Sequence, residues 1–283
     1  MSGLTRLLRG RPISVGRDAM LGFWLSFSAL WLITALLTHF FPTWTFLSDT
    51  PLFAAILVVS FGNALRSARR PKKVVIHLPL SGARIEVLFG DIFACDGVVA
   101  FAVNEFFDSE IGQPVAAKSL HGVVIQKHLQ GGSKGFDKQV GERLKHVDAD
   151  NVSRRIGKTR RYPIGTTALL SDGDRRFLAF ALTRTDPETC KASANVPQMF
   201  AALDGLWEQA RIDLNGDPLN IPLVGSFLAG VGLPAQVLLN MIVISFIDES
   251  KRREIGNLAR IVLTWEKVDE VDLREVVKLW GRT

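Results

Sequence analysis

Three short stretches place polar residues where a chain can meet a ligand. Gly90-Asp91-Ile92 closes the apolar run RIEVLF (84–89), and Asn104 closes the next run, GVVAFAV (97–103), ahead of Glu105-Phe106-Phe107-Asp108. A carboxylate only accepts hydrogen bonds, whereas a carboxamide both donates and accepts without net charge. A Gly-Asp pair after a strand also serves as a plain turn, and spacing does not separate the two readings. In Ser119-Leu120-His121-Gly122, Ser119 is placed to cap a helix, and the free backbone N–H groups behind it suit a phosphate. His121 would then be a ligand contact, a base, or simply a structural residue. The third stretch, LVGSFLAGVGLP (223–234), runs from an apolar segment into a helix through Gly225, Gly230 and Gly232. Glycines there let backbone amides turn inward around an anion, although a tight strand-to-helix connection needs them equally.

These loops must be held by the elements around them. Apolar runs at 74–80, 84–89, 97–103, 166–170, 177–183, 219–225 and 259–265 read as strands, several too continuously apolar to have a wet face. Apolar residues three and four apart predict helices over 119–129, 136–147, 195–212, 234–247 and 269–280. The fold class is therefore α/β, a three-layer α/β/α domain over 74–283. Ligands in such sheets bind beyond the carboxyl ends of strands, where all three loops are expected.

Residues 1–73 differ in kind. Residues 20–41 are 22 consecutive uncharged residues, enough at about 1.5 Å per residue to span a hydrocarbon core of roughly 30 Å. Pro51–Leu65 supplies 15 more and reaches spanning length only if extended back to Thr45, which admits Asp49 near the headgroups. Nine of the 34 Lys and Arg lie within 1–73 and flank these segments, so the net charge of +6 points to membrane topology rather than to nucleic acid. The expectation is a two-pass hairpin with both termini cytoplasmic. A cleaved signal peptide is disfavoured by the second apolar segment and the lack of a small-x-small cleavage site. Gly22 with Ser26, and Ser60 with Ala64, would permit close helix approach between chains or within one hairpin. The two cysteines, Cys95 and Cys190, have no ligand partners at metal spacing, so neither a metal site nor a disulfide framework is expected.

In chain order the loops make a pattern: Gly-Asp-Ile after one strand, Asn ending the next, and a late Pro-x-x-Gly-Ser-x-x-x-Gly entering a helix. This resembles the macro domain, an ADP-ribose-binding module. The resemblance implies that Asp91 accepts a hydrogen bond from the adenine amino group, beside the Ile92 backbone. It implies that Asn104 faces the distal ribose, and that Ser119, Leu120 and His121 enclose the diphosphate together with Gly225, Ser226, Phe227, Leu228, Ala229 and Gly230. With two membrane helices in front, the chain resembles the membrane-anchored macro effectors of type II Thoeris antiphage systems. That resemblance implies a partner TIR enzyme making a histidine-linked ADP-ribose signal from NAD, and an oligomer acting on the bacterial inner membrane. No cofactor and no catalytic residue are expected.

Departures from the macro pattern favour binding over turnover. Where hydrolases of the family show Val-Asn-Ala-Ala-Asn, this chain has Ala100-Phe101-Ala102-Val103-Asn104, and SEIGQPVAAKSLHG (109–122) replaces a triple-glycine loop. The alternative is a membrane-tethered ADP-ribosyl hydrolase in which Asn104 and Asp108 position water. A third reading, RNA or anionic-lipid binding by Arg154, Arg155, Lys158, Arg160 and Arg161, lacks interleaved aromatic residues, and a solvated basic loop accounts for those charges.

Overall fold

The computed structural model describes residues 12–43, 50–78, 82–226, 230–252 and 258–281. Two compact units separate among them: the N-terminal helices with Val268–Asp272, and Lys73–Lys267 with the residues from Leu273 onward.

In the first unit, α1 spans Pro12–Phe40 and α2 spans Thr50–Ala68. Val15–Phe40 and Thr50–Ala68 are long and apolar enough to cross a membrane. Trp24, Leu25, Leu32, Val58 and Phe61 are all more than half exposed, a surface unfavourable in water and natural in lipid. Helix α1 starts earlier than its apolar run, taking in Arg17 and Asp18. The small residues are used within the hairpin. A Cβ on Gly22 would lie 2.4 Å from Ser67 Oγ. Ser60 and Ala64 are buried. Asn63 Nδ2 donates to Gly22 O at 2.9 Å and to Ser26 Oγ at 2.5 Å. The donor side of a carboxamide on an apolar helix thereby finds its acceptors on the neighbouring helix.

The second unit is built on one mixed sheet. Its strands are β1 (Lys73–His77), β2 (Arg84–Phe89), β3 (Val98–Asn104), β6 (Thr167–Asp172), β7 (Arg175–Thr185), β8 (Ala192–Ser193), β9 (Leu219–Pro222) and β10 (Leu258–Leu263). The order is β1-β2-β10-β9-β3-β7-β6, with β8 on β7. Strands β2, β10, β9, β3 and β7 are mutually parallel. The helices are α3 (Leu120–Lys127), α4 (Gly132–Arg143), α5 (Val196–Asp213), α6 (Ala235–Arg252) and α7 (Leu273–Trp280). Between α4 and β6, β4 (Asp150–Asn151) and β5 (Arg160–Arg161) form a separate two-stranded ribbon.

Helix α3 packs on β3, α4 on β6, α5 on β6 and β7, and α7 on β1. The alternation of the central strands shows two cores. Val99, Phe101 and Val103 join Val124, Ile125 and Phe136 on one face. Val98 and Ala100, their neighbours in the pleat, are buried as well. Among the helices, Trp207 of α5 packs edge-on against Phe246 of α6, and its Nε1 donates to Ser245 Oγ at 3.1 Å. The expectation of a fully covered sheet holds at β3 and β7 and fails at β1 and β2. There Lys73, Val75, His77 and Arg84 are exposed while Val74, Ile76, Ile85 and Val87 are buried. The wetter face carries ion pairs instead: Arg260 with Glu86 at 3.1 Å and with Asp96 at 2.6 Å, and Lys73 with Glu86 at 2.8 Å. Residues 79–80 of the first expected strand lie outside the described residues, and the strand expected over 219–225 ends at Pro222.

Candidate functional site

Because β2, β9 and β3 are parallel, the residues that follow them emerge at one edge of the sheet. The ends of β2 and β10 are tied there by the Gly90 N–H donating to Leu263 O at 2.9 Å. Asp91 is exposed. Its Oδ1 accepts the Phe93 N–H at 2.9 Å and caps the 3₁₀ turn Ile92–Ala94, while Ile92 is buried and anchors the turn. The second carboxylate oxygen has no partner among the described residues, so the turn fixes the side chain and leaves an acceptor facing out.

Ser119 caps α3 as expected, its Oγ accepting the Gly122 N–H at 3.0 Å and donating to Ala116 O at 2.7 Å. The loop before the helix lies directly on it, since a Cβ on Gly122 would meet Ala116 O at 2.4 Å. Leu120 is partly buried against the core. After β9, Gly225 has φ +78°, and a Cβ there would lie 2.9 Å from Val231 Cγ2, so only glycine suits the turn. The Val231 N–H donates to Gly225 O at 3.0 Å and closes the loop, and Ser226 Oγ donates to Leu223 O at 2.7 Å. Gly230 is partly exposed, whereas Phe227, Leu228 and Ala229 lie outside the described residues.

Asn104 stands at a register shift between β3 and β7, where Val103 pairs with Ala181 and Asn104 with Thr183. Such bulges re-aim a side chain at the end of a strand. Its Oδ1 accepts the N–H groups of Phe106 at 3.2 Å and Asp108 at 3.1 Å. Its Nδ2 donates to Asp108 Oδ2 at 2.8 Å, leaving one N–H without a partner among the described residues. Asp108 is 1 % exposed. Besides Asn104 it is held by Arg154 Nη1 at 2.9 Å and by the Lys158 backbone N–H at 2.7 Å. Phe107, at φ +51°, turns the chain so that Asn104 and Asp108 can meet. Glu105 is buried too, and its pKa is raised by burial against the opposing hydrogen bond from the Thr185 N–H.

His121 is inside the core. It is 7 % exposed, its ring centroid 5.6 Å from Phe101 and 5.2 Å from Phe136, and its Nε2 has no hydrogen-bond partner. Burial, with a smaller contribution from Lys158, lowers its pKa to about 3. The imidazole is therefore neutral near pH 7, and of this residue only the backbone N–H belongs to the first turn of α3. Of the alternatives open from sequence, this is the structural one for the side chain. Phe101 is its packing partner.

Residues 85–264 match the family described as "Thoeris protein ThsA, Macro domain". The chain belongs to this family. Among solved structures, the Oceanobacillus iheyensis macrodomain with ADP superimposes with a TM-score of 0.52 at 12 % identity, covering 75 % of this chain and 100 % of that one. A mutant of the same macrodomain gives 0.50 at 13 % identity, covering 74 % of this chain and 100 % of that one. At such identity the likeness shows a shared fold. No curated protein is significantly similar in sequence. The three-layer macro fold expected from the loops is thus the fold of this chain.

Sequence reasoning missed the polar cluster beneath the macro-domain edge. Arg154 and Lys158 read as a solvated basic loop, yet the Arg154 side chain is 0 % exposed and stacks 3.9 Å above Phe106. The one sequence signal was Asp108 itself, a charge set directly after the adjacent apolar residues Phe106 and Phe107.

Proposed function

We propose that this macro-domain chain is a membrane-anchored receptor for an ADP-ribose-type signal. In this reading the outward oxygen of Asp91, with the Ile92 backbone beside it, takes the adenine amino group, and the remaining N–H of Asn104 meets the distal ribose. The backbone N–H groups of Leu120 and His121 and the loop from Gly225 to Gly230 enclose the diphosphate. The signal is ADP-ribose linked to histidine, made from NAD by a partner TIR-domain enzyme. Its binding drives chains together in the bacterial inner membrane, where the two-pass hairpins act on the membrane as an antiphage defence, with the macro domain on the cytoplasmic side.

The observation that carries this reading is the convergence of Asp91, Asn104 and the Gly225-Ser226 turn on one edge of parallel strands, in a chain of the Thoeris ThsA macro-domain family. Two features support binding without turnover. Phe101 contributes a ring to the core in place of a polar group, and Asp108 is already engaged by three donors and out of reach of solvent. A general base must reach the proton it takes, and Asp108 does not.

The test is calorimetry on the full chain in lipid nanodiscs with ADP-ribose and with histidine-linked ADP-ribose, followed by chromatography of the recovered nucleotide. A receptor binds and returns its ligand intact. Multiple turnovers on ADP-ribosylated substrates that disappear in Asn104→Ala would establish the hydrolase instead.

A further inference from the structure

We infer that Arg154 is a positioning residue for the distal-ribose end of the site, acting on Asn104 through Asp108 from a strap formed by residues 152–159. The inference rests on the ADP-ribose reading above and concerns how that site is held.

The strap is tied down from several directions. The Val152 N–H donates to Thr159 O at 2.9 Å, and Arg154 Nη1 donates to Lys158 O at 2.9 Å, so the segment is closed on itself. Lys158 Nζ donates to Phe107 O at 2.5 Å and pairs with Asp137 at 2.5 Å, joining the strap to the turn after β3 and to α4. Gly157 has φ +92°, and a Cβ on it would lie 2.6 Å from Asp108 Oδ1, so the strap's backbone rests on the carboxylate itself.

The chemistry then runs one way. Both oxygens of Asp108 act as acceptors, Oδ1 for the Lys158 N–H and Oδ2 for Arg154 and Asn104. A carboxylate at 2.8 Å from the Asn104 carboxamide therefore admits only the Nδ2 side. Oδ1 is left for the Phe106 and Asp108 N–H groups. The amide is locked in one of its two orientations, with its spare N–H in one direction. Without Arg154 the buried carboxylate loses its charged partner and is no longer fixed beneath Asn104 Nδ2, leaving the amide held only through Oδ1 by the Phe106 and Asp108 N–H groups. The sequence separation explains why no local pattern announces this: Arg154 lies 46 residues beyond Asp108.

The experiment uses the full chain in nanodiscs and two probes, ADP-ribose and ADP, the second lacking the distal ribose. Arg154→Lys keeps a charge but loses the guanidinium, and Gly157→Ala sets a methyl group against Asp108 Oδ1 and Arg154 Nη1, forcing the strap off the carboxylate while keeping both charged residues in the chain. Each variant should weaken ADP-ribose binding about tenfold or more and leave ADP affinity within about twofold. In an Asn104→Ala background, Arg154→Lys should have no further effect on ADP-ribose, the non-additivity expected of residues acting in series. Equal losses for both probes, full additivity with Asn104→Ala, or no loss in either variant would overturn the inference and leave the receptor reading standing. A wild-type chain that binds neither probe would instead remove the receptor reading, and the inference with it.

Discussion

Asp108 and Arg154 meet at 2.9 Å with 1 % and 0 % of their side chains exposed, an ion pair withdrawn from water at the end of β3. Such a pair contributes little net stability over apolar replacements, but a lone survivor is an uncompensated buried charge. Arg154→Ala should therefore destabilise the macro domain by about 3–5 kcal/mol, and the double change Asp108→Leu with Arg154→Met should cost clearly less than either single change. Amide hydrogen exchange in β3 measures both. A loss below about 1 kcal/mol for the single change would mean that the pair is solvated.

The contrast between this cluster and the rest of the fold shows what a sequence carries. Strands β3 and β7 were legible because they are buried on both faces and so are continuously apolar. The edge residues Asp91, Asn104 and Gly225 were legible because each lies at the end of an apolar run or within two residues of it. Helix α4 begins at Gly132, four residues before its apolar periodicity does, because Ser133 Oγ donates to Ser109 O at 2.6 Å and tertiary contact outweighs the poor propensity of glycine. The strap was not legible. Whether Arg154 and Lys158 are solvated or buried depends on Asp108, far away in the chain, and charge patterning sees only neighbours.

His121 gives a pH dependence with a definite sign. Its folded pKa is about 3 against the ordinary 6.5 of a histidine, so between those values the unfolded chain binds a proton that the folded chain does not. Stability attributable to this residue is whole above about pH 6.5 and is lost as pH falls towards 3. From pH 7 to 4.5 the wild type should lose about 2–3 kcal/mol more than His121→Phe, at 1.36 kcal/mol per unit. Hydrogen exchange at the two pH values, corrected for intrinsic rates, checks this. Parallel losses in both proteins would place the imidazole in water.

The hairpin yields a prediction about assembly. Gly22, Ser26 and Asn63 are engaged between α1 and α2, so the faces left for other chains are the large apolar ones bearing Trp24, Leu25, Val58 and Phe61. Liposomes carrying the full chain should release dye when histidine-linked ADP-ribose is added. Shifting an assembly from 1:99 to 99:1 takes about 5.5 kcal/mol of preferential binding. Binding without leakage would reduce the hairpin to a tether.

In the proposed receptor, Asp91 takes the adenine amino group. Its outward oxygen is held by a turn that its other oxygen caps, so Asp91→Asn preserves the cap while replacing one acceptor with a donor, and Asp91→Ala removes both. Losing a hydrogen bond to a charged acceptor costs roughly 1.5–3 kcal/mol, or about one to two decades in Kd. Calorimetry of ADP-ribose binding to the wild type and the two variants is the most direct measurement. An ADP-ribose receptor predicts tenfold to hundredfold weaker binding in both variants with the fold intact, and equal affinity in all three proteins would contradict it.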